Sequence, residues 1–351
     1  MKQDFLRARL KLKREAVRAA GYKPGDSISL DRHEKPNKVS REIRGSYSAP
    51  FAIEIYDPRS ELLRGHYFQG RNAYELRDVI FEPRLGLVYT AEGELVEEST
   101  NWPITQFYNS FPWNPKKNLK KLNVPSAIFL PSSAFGHWLM EDLPLAIFAL
   151  SLDANAPILV AKNPPKYVSD FLAIVEREVI YLDGPVQINS LTLVQKNQDS
   201  GWPHPKDLDI LRRFGPFFSI IEPALPTRKI YTSRRGSKRS PGNESQIEEL
   251  FRDHGFEIFQ MEHLDLLDEV RLMSETSVIA GVHGSSLANI IWMPSGGAML
   301  DLANDNYWTE AGHRLAHLRE SDYHSVIYKG EFYSSIDCHE IEKVIVTMSR
   351  N

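Results

Sequence analysis

The chain has 351 residues, which suggests about two domains at the usual ~100–200 residues per domain. Its apolar and charged fractions are those of a globular protein, and a net charge of -4 is too mild to call for a nucleic-acid partner. The single cysteine, Cys338, excludes an intrachain disulfide and any Cys-rich zinc or iron–sulfur centre, in keeping with a reducing compartment.

Residues 1–24 read as a basic amphipathic helix. Phe5, Ala8, Leu12, Ala16 and Ala19 recur at helical spacing, and Lys11, Lys13, Arg14 and Arg18 crowd the other positions. Such a helix suits either an anionic membrane surface, through residues 1–23, or a solvated position on its own domain. The stretch lacks the apolar core of a secretory leader, and no run reaches the ~20 apolar residues of a membrane span. The expected location is the cytoplasm, extending to peripheral contact at the inner face of the membrane.

From Pro24 to Ser48 the chain is polar and turn-rich. Phe51 to Glu98 predicts strands, with FAIEIYD, DVIFEP, LGLVYTAEG and ELVEES bounded by Pro, Gly and Asp. These form an expected antiparallel hairpin layer beside the main sheet. Asn101 to Lys121 is an aromatic loop whose plainer reading is a cover over the core. AIFLP, at Ala127 to Pro131, is the next predicted strand.

The following stretch, SSAFGHWLMEDLPLAIFALSL, predicts a strongly apolar helix with Leu139, Leu143, Ile147 and Leu150 at helical spacing. His137 and Glu141, four apart, share a face of it, and Asp142 lies on an adjacent one. Ionisable groups at the start of an apolar helix are costly to bury without partners. They are either catalytic or satisfied by neighbouring backbone. Strands at Pro157–Ala161, Glu178–Leu182 and Ile188–Val194, with a helix at Pro165–Val175, predict a parallel sheet. The segment Gln198 to Pro205 breaks the pattern and marks a boundary or an active-site loop. Asp207 to Phe218 predicts one helix.

In the second half, KIYTS at Lys229 to Ser233 is a strand that runs into RRGSKRSPGNES. Arg234, Arg235, Lys238 and Arg239 therefore fall at a strand's carboxyl end, the usual ligand edge of an open α/β sheet. Asn243 is placed to cap the next helix, with Glu244 in its first turn. The cluster suits a phosphate or diphosphate, and a solvated basic loop is the alternative. Further on, SVIAGVHGSSLAN predicts a buried strand, a turn bracketed by Gly281 and Gly284, and a helix capped by Ser285 or Ser286. With His283 in the turn, this is either an anion site at a helix start or an ordinary βα turn. A strand at Ala298–Leu302 carries Asp301 near its end.

Three stretches together resemble glycosyltransferase family 61. They are FGHWLMEDLP at Phe135 to Pro144, YTSRRGSKRSPGNE at Tyr231 to Glu244, and VIAGVHGSSLANIIWMPSGGAMLDL at Val278 to Leu302. Ser285 stands where the family commonly has alanine. The likeness covers roughly Phe135 to Leu302. It implies a GT-B fold, with two Rossmann-like α/β domains facing a central cleft, and inverting transfer of a sugar from a nucleotide diphosphate sugar. Residues 25–205 would form the acceptor-side domain, joined by a closing helix at 335–351. Residues 206–334 would form the nucleotide-sugar domain.

On that resemblance the donor set is Arg234, Arg235, Arg239, Asn243, Glu244, His283, Gly284, Ser285, Ser286, Asn289 and Asp301. The catalytic set is His137, Asp142 and Glu141, with His137 as base and Asp142 as orienter, facing the donor from the first domain. The acceptor would be a saccharide, a lipid-linked saccharide or a protein hydroxyl. No cofactor or divalent metal is indicated, although Asp301, Asp305 and Glu310 lie on one later loop. Two other functions fit less of the pattern. One is a non-catalytic nucleotide- or sugar-binding protein. The other is a metal-dependent hydrolase using His137, Asp142, His204 and His283, whose spacing matches no local zinc motif.

Overall fold

The structure, a computed structural model, describes residues 71–84, 86–99, 119–131, 133–196, 203–221, 225–307 and 309–348, and the backbone of four earlier strands. The predicted basic helix at 1–24, most of the aromatic loop at 101–121 and most of the segment 198–205 lie outside the described residues, while Lys120 and Lys121 at the end of that loop belong to a strand. The chain divides into two compact units, each with its own sheet.

The early strands are β1 (Ser27–Ile28), β2 (Ser40–Ser46), β3 (Phe51–Asp57) and β4 (Leu62–Phe68), and β3 and β4 make a separate two-stranded sheet. Then follow β5 (Asn72–Glu82), β6 (Leu87–Tyr89), β7 (Leu95–Val96), β8 (Lys120–Leu122), β9 (Ile128–Phe129), β10 (Ile158–Ala161), β11 (Val179–Leu182) and β12 (Val186–Val194). The ten-stranded sheet of the first unit runs β1-β7-β6-β5-β12-β9-β10-β11, with β2 also on β5 and β8 on β12.

The β12-β9-β10-β11 run has the parallel pairing that the strand–helix alternation predicts. The predicted hairpin layer divides: FAIEIYD is β3 of the separate two-stranded sheet. Strands β5, β6 and β7 instead belong to the ten-stranded sheet, because β5 pairs antiparallel along nearly all of β12, from Val186 opposite Phe81 to Val194 opposite Ala73. Tyr74, Leu76, Phe81, Leu159, Ile188, Leu191 and Leu193 form the core. Helix α1 (Leu143–Leu152) packs against β12 and β9, and α2 (Lys166–Val175) has Val168 and Phe171 buried. Before α1, one α turn (Phe135–His137) passes into a π turn (Trp138–Asp142). Pro144 lacks the N–H that would bond the Met140 carbonyl, so the regular ladder is broken there. The α spacing that would place His137 and Glu141 on one face therefore does not hold.

The second unit includes Ala134–Met140 and Pro203–Asn351. Where one helix was predicted there are two, α3 (Pro205–Arg213) and α4 (Gly215–Ile221), with Phe214 extended between them. The strands are β13 (Arg228–Thr232), β14 (Glu257–Phe259), β15 (Thr276–Val282), β16 (Ala298–Asn304) and β17 (Asp322–Tyr328). They form a five-stranded, wholly parallel sheet in the order β14-β13-β15-β16-β17. Helices α5 (Glu244–Asp253), α6 (Leu266–Ser274), α7 (Ala311–Leu318) and α8 (Cys338–Met348) accompany it, each amphipathic.

Tyr231, Ile247, Phe251, Ala280, Leu300 and Leu302 make the centre of this core, and Ile341 and Ile345 of α8 belong to it. The closing helix thus packs in the second unit. That corrects the expectation that residues 335–351 return to the first domain. The apolar stripe was read correctly, but a stripe does not say which surface it covers.

Candidate functional site

Strand β13 has β14 on one side and β15 on the other, so the winding direction reverses there. In open α/β sheets ligands bind in the crevice beyond the carboxyl ends at such a switch point. Two segments leave those ends: 233–243 after β13, and His283–Gly284 after β15. Thr232 pairs with Gly281, and a Cβ on Gly281 would lie 2.1 Å from Thr232 Oγ1. The bare glycine leaves room for the Thr232 hydroxyl, which lies 3.1 Å from Ser286 Oγ.

Ser285–Trp292 is a 3₁₀ helix rather than the predicted α-helix, and Gly284, not a serine, stands at its cap. Its first backbone N–H groups, at Ser285 and Ser286, are those that a helix start leaves without intrahelical partners. The Arg234 guanidinium lies against Gly284, where a Cβ would be 1.7 Å from one of its nitrogens. That nitrogen donates weakly to the Val282 and His283 carbonyls at 3.5 and 3.4 Å. Arg234 Nε is buried with no hydrogen-bond partner. Burial, and then the like charge of Arg239, lower the Arg234 pKa from the ordinary arginine value. Among the described residues neither Arg234 nor Arg239 has a carboxylate within ion-pair distance. The carboxylates of Glu262 and Glu244 offset part of the Arg234 charge from a distance, and two guanidiniums without a direct ion pair suit an anion with two or more charges.

Their neighbours in the expected donor set are engaged elsewhere. Arg235 is bound by both oxygens of Glu248, which also holds Arg252 at 3.1 Å. Glu244 accepts the Arg234 backbone N–H at 2.7 Å and the Tyr231 hydroxyl at 3.2 Å, so it shapes the loop from behind. Asn243 does not cap α5. Its amide donates to the Ile336 carbonyl at 2.8 Å and accepts the Ile336 N–H at 2.9 Å. Asn289 is fully buried and donates to Glu269 at 3.0 Å, tying the 3₁₀ helix to α6. These four side chains tie segments of the unit to one another.

His283 and Asp301 form a buried pair, with Nδ1 2.8 Å from Asp301 Oδ2. The Thr309 backbone N–H donates to His283 Nε2 at 3.1 Å, so that nitrogen is the acceptor and Nδ1 carries the proton. The Tyr323 hydroxyl donates to the same Asp301 oxygen at 3.0 Å. Neither His283 nitrogen points out as a donor to a ligand, which corrects that expectation. Tyr307 packs edge-on to the imidazole, with centroids 6.0 Å apart, and the Arg239 guanidinium lies 5.0 Å from the Tyr307 ring centroid.

His137 belongs to this second unit, not to the first as expected. Its turn packs on the start of the 3₁₀ helix, since a Cβ on Gly136 would be 3.3 Å from Ser285 Cα. Asp142 and Glu141 fall in the first unit and are buried. Asp142 Oδ1 is 2.7 Å from Lys196 Nζ, and Ser133 Oγ donates to Oδ2 at 2.5 Å. Asp142 and Lys196 border a small pocket with Phe129, Leu145, Ala149 and Thr192. Burial and the Asp142 charge raise the nearby Tyr167 phenol to about 12. Lys196, Tyr307, Thr309 and Tyr323 carried no local signal in the sequence. They acquire roles through partners between 22 and 68 positions away. Among the described residues no group of three or more His, Cys, Asp or Glu side chains is gathered as for a metal, and no helix is long and apolar enough to cross a membrane.

One consequence is open to test at the closest approach. Gly284→Ala would push the Arg234 guanidinium off the turn. It is expected to weaken diphosphate binding about tenfold or more, the cost of a lost charged hydrogen bond. The far-ultraviolet spectrum should stay unchanged. Calorimetry with a nucleoside diphosphate checks it, and wild-type affinity would contradict the packing argument.

The five-stranded parallel sheet, with basic groups and a glycine turn at its switch point, defines a Rossmann-like α/β unit suited to an anionic ligand. Residues 135–300 match the family model described as Glycosyltransferase 61. The match begins at the turn that carries His137 and ends one residue before Asp301, and it is consistent with a glycosyltransferase-61-like domain in the central region. It supports enzymatic sugar transfer at the level of the family. No curated protein matches the chain significantly.

Proposed function

We propose that this protein is an inverting glycosyltransferase that moves a hexose or pentose from a nucleotide diphosphate sugar to a hydroxyl acceptor. Surface polysaccharide or glycan synthesis at the cytoplasmic side of the membrane is the setting that we favour. We read the two α/β units as the halves of a GT-B fold, supported by a separate sheet with flanking helices in each. The observation that carries the reading is the Arg234 guanidinium, held against Gly284 at the switch point without a direct ion pair and close enough to Arg239 to feel its charge.

When the glycosidic bond to the diphosphate breaks, negative charge grows on the leaving oxygens. Arginine forks and the N–H groups of Ser285 and Ser286 stabilise that charge without needing to reorganise. Inversion also needs a base that removes the acceptor hydroxyl proton as the oxygen attacks the anomeric carbon. His137 takes that role, because imidazole is the side chain best suited to accept a proton near neutral pH. Asp142, held by Lys196 and Ser133, orients the acceptor and does not compete as base.

The test is calorimetry with a panel of nucleoside diphosphates on wild type, Arg234→Ala and Arg239→Ala. Each variant is expected to bind about ten- to a hundredfold more weakly, from a charged hydrogen bond worth about 1.5–3 kcal/mol. Unchanged affinity in both would overturn the assignment. Thermal stabilisation by a panel of nucleotide sugars would then name the donor.

A further inference from the structure

We propose that Asp301, His283 and Tyr307 form a positioning relay that sets where the Arg239 guanidinium stands, ready for a diphosphate. The inference rests on the reading of Arg234 and Arg239 as the diphosphate site. It assigns those three residues a task that does not require them to touch the ligand.

The relay begins at Asp301, which is fully buried on β16. Its Oδ2 accepts from the Tyr323 hydroxyl on β17 and faces His283 Nδ1 at the end of β15. An acceptor at Nδ1 selects the tautomer with the proton there and leaves a lone pair at Nε2. That lone pair takes the Thr309 N–H at 3.1 Å, with Thr309 Oγ1 at 3.2 Å from the same nitrogen. The imidazole thereby pins the backbone two residues beyond Tyr307. On the other side the Tyr307 N–H donates to the Asn304 carbonyl at 3.1 Å. Tyr307 is fixed from both directions.

Its ring is then wedged edge-on between His283 and Phe332, with centroids 6.0 and 5.5 Å away. The guanidinium of Arg239 lies against the ring, 5.0 Å from its centroid. A cation over an aromatic face is attracted by the ring's negative π surface. Arg239 has no carboxylate within ion-pair distance among the described residues, and the Tyr307 ring is the surface against which its guanidinium lies. A long side chain already in place before the ligand arrives loses less freedom on binding. Like-charge repulsion from Arg234 would otherwise drive the two guanidiniums apart.

The test uses the full chain and inorganic pyrophosphate, with affinity measured by calorimetry. Tyr307→Leu keeps an apolar side chain of similar bulk and removes the π face. It is expected to weaken binding roughly 2- to 30-fold, and Tyr307→Phe should restore wild-type affinity. Combining Tyr307→Leu with Arg239→Ala should bind no more weakly than Arg239→Ala alone, since both act through one guanidinium. His283→Leu should likewise weaken binding in the wild-type background and have no further effect beside Tyr307→Leu. Multiplying effects in the double variants, or wild-type affinity in Tyr307→Leu, would overturn the relay while leaving the diphosphate site standing. Wild-type affinity in Arg239→Ala would instead remove the diphosphate reading, and the relay with it.

Discussion

Replacing His137 by alanine is expected to lower turnover about 100-fold or more while nucleoside diphosphate affinity stays within about twofold of wild type. General base catalysis typically contributes about 10²–10⁴-fold, and the proton removed comes from the acceptor rather than the donor. The diphosphate is assigned to Arg234, Arg239 and the start of the 3₁₀ helix, none of which the substitution removes. The turn that holds His137 packs through Gly136 on Ser285, so its backbone should persist without the imidazole. Transfer rate and donor affinity are measured on the same purified variant, with the nucleotide sugar that stabilises the protein most. Near-normal turnover would refute the base assignment. A collapse in Asp142→Ala alone would hand that role to the carboxylate.

The largest effect on stability is expected at Lys196. Its ammonium and the Asp142 carboxylate are both nearly excluded from water, with side chains 8% and 3% exposed, and they stand 2.7 Å apart. A buried pair of this kind can add little net stability, because both charges were desolvated to make it. Removing one partner is different, since it strands the other charge. Lys196→Met is expected to cost about 3–5 kcal/mol in urea unfolding. Adding Asp142→Asn should recover more than half of that loss, because the stranded charge is gone while Ser133 keeps a partner. A cost below about 1 kcal/mol for Lys196→Met would show that the carboxylate finds water or another cation.

Much of the second unit's arrangement was legible because it is local. Alternating short apolar runs and amphipathic stretches predicted βα units. The strand ends then told where Arg234 and His283 would emerge. The engagement of Arg235, Asn243, Glu244 and Asn289 with other parts of the unit was not legible. Arg235 and Arg239 are the same residue type in the same loop, and only the position of Glu248 on α5 separates a paired guanidinium from one that is not. Asn243 is a good cap by chemistry, but the Ile336 backbone, 93 positions away, satisfies both ends of its amide. A hydrogen bond offered by a distant segment competes on equal terms with the local one, and sequence spacing records only the local one.

The sequence by itself determined the order of the motifs, the parallel character of the second sheet and the gathering of basic groups at a strand's carboxyl end. Each follows from residue periodicity, turn chemistry or covalent neighbourhood. Tertiary structure alone decided that β5 pairs with β12, that α8 packs in the second unit, and that the His137 turn lies on Ser285. It also decided that His283 spends both nitrogens on Asp301 and Thr309. An apolar edge or stripe states only that it must be covered, and a polar side chain only that it must be paired. Which partner arrives is set by the closest complementary surface in the folded chain, at separations that no local pattern encodes.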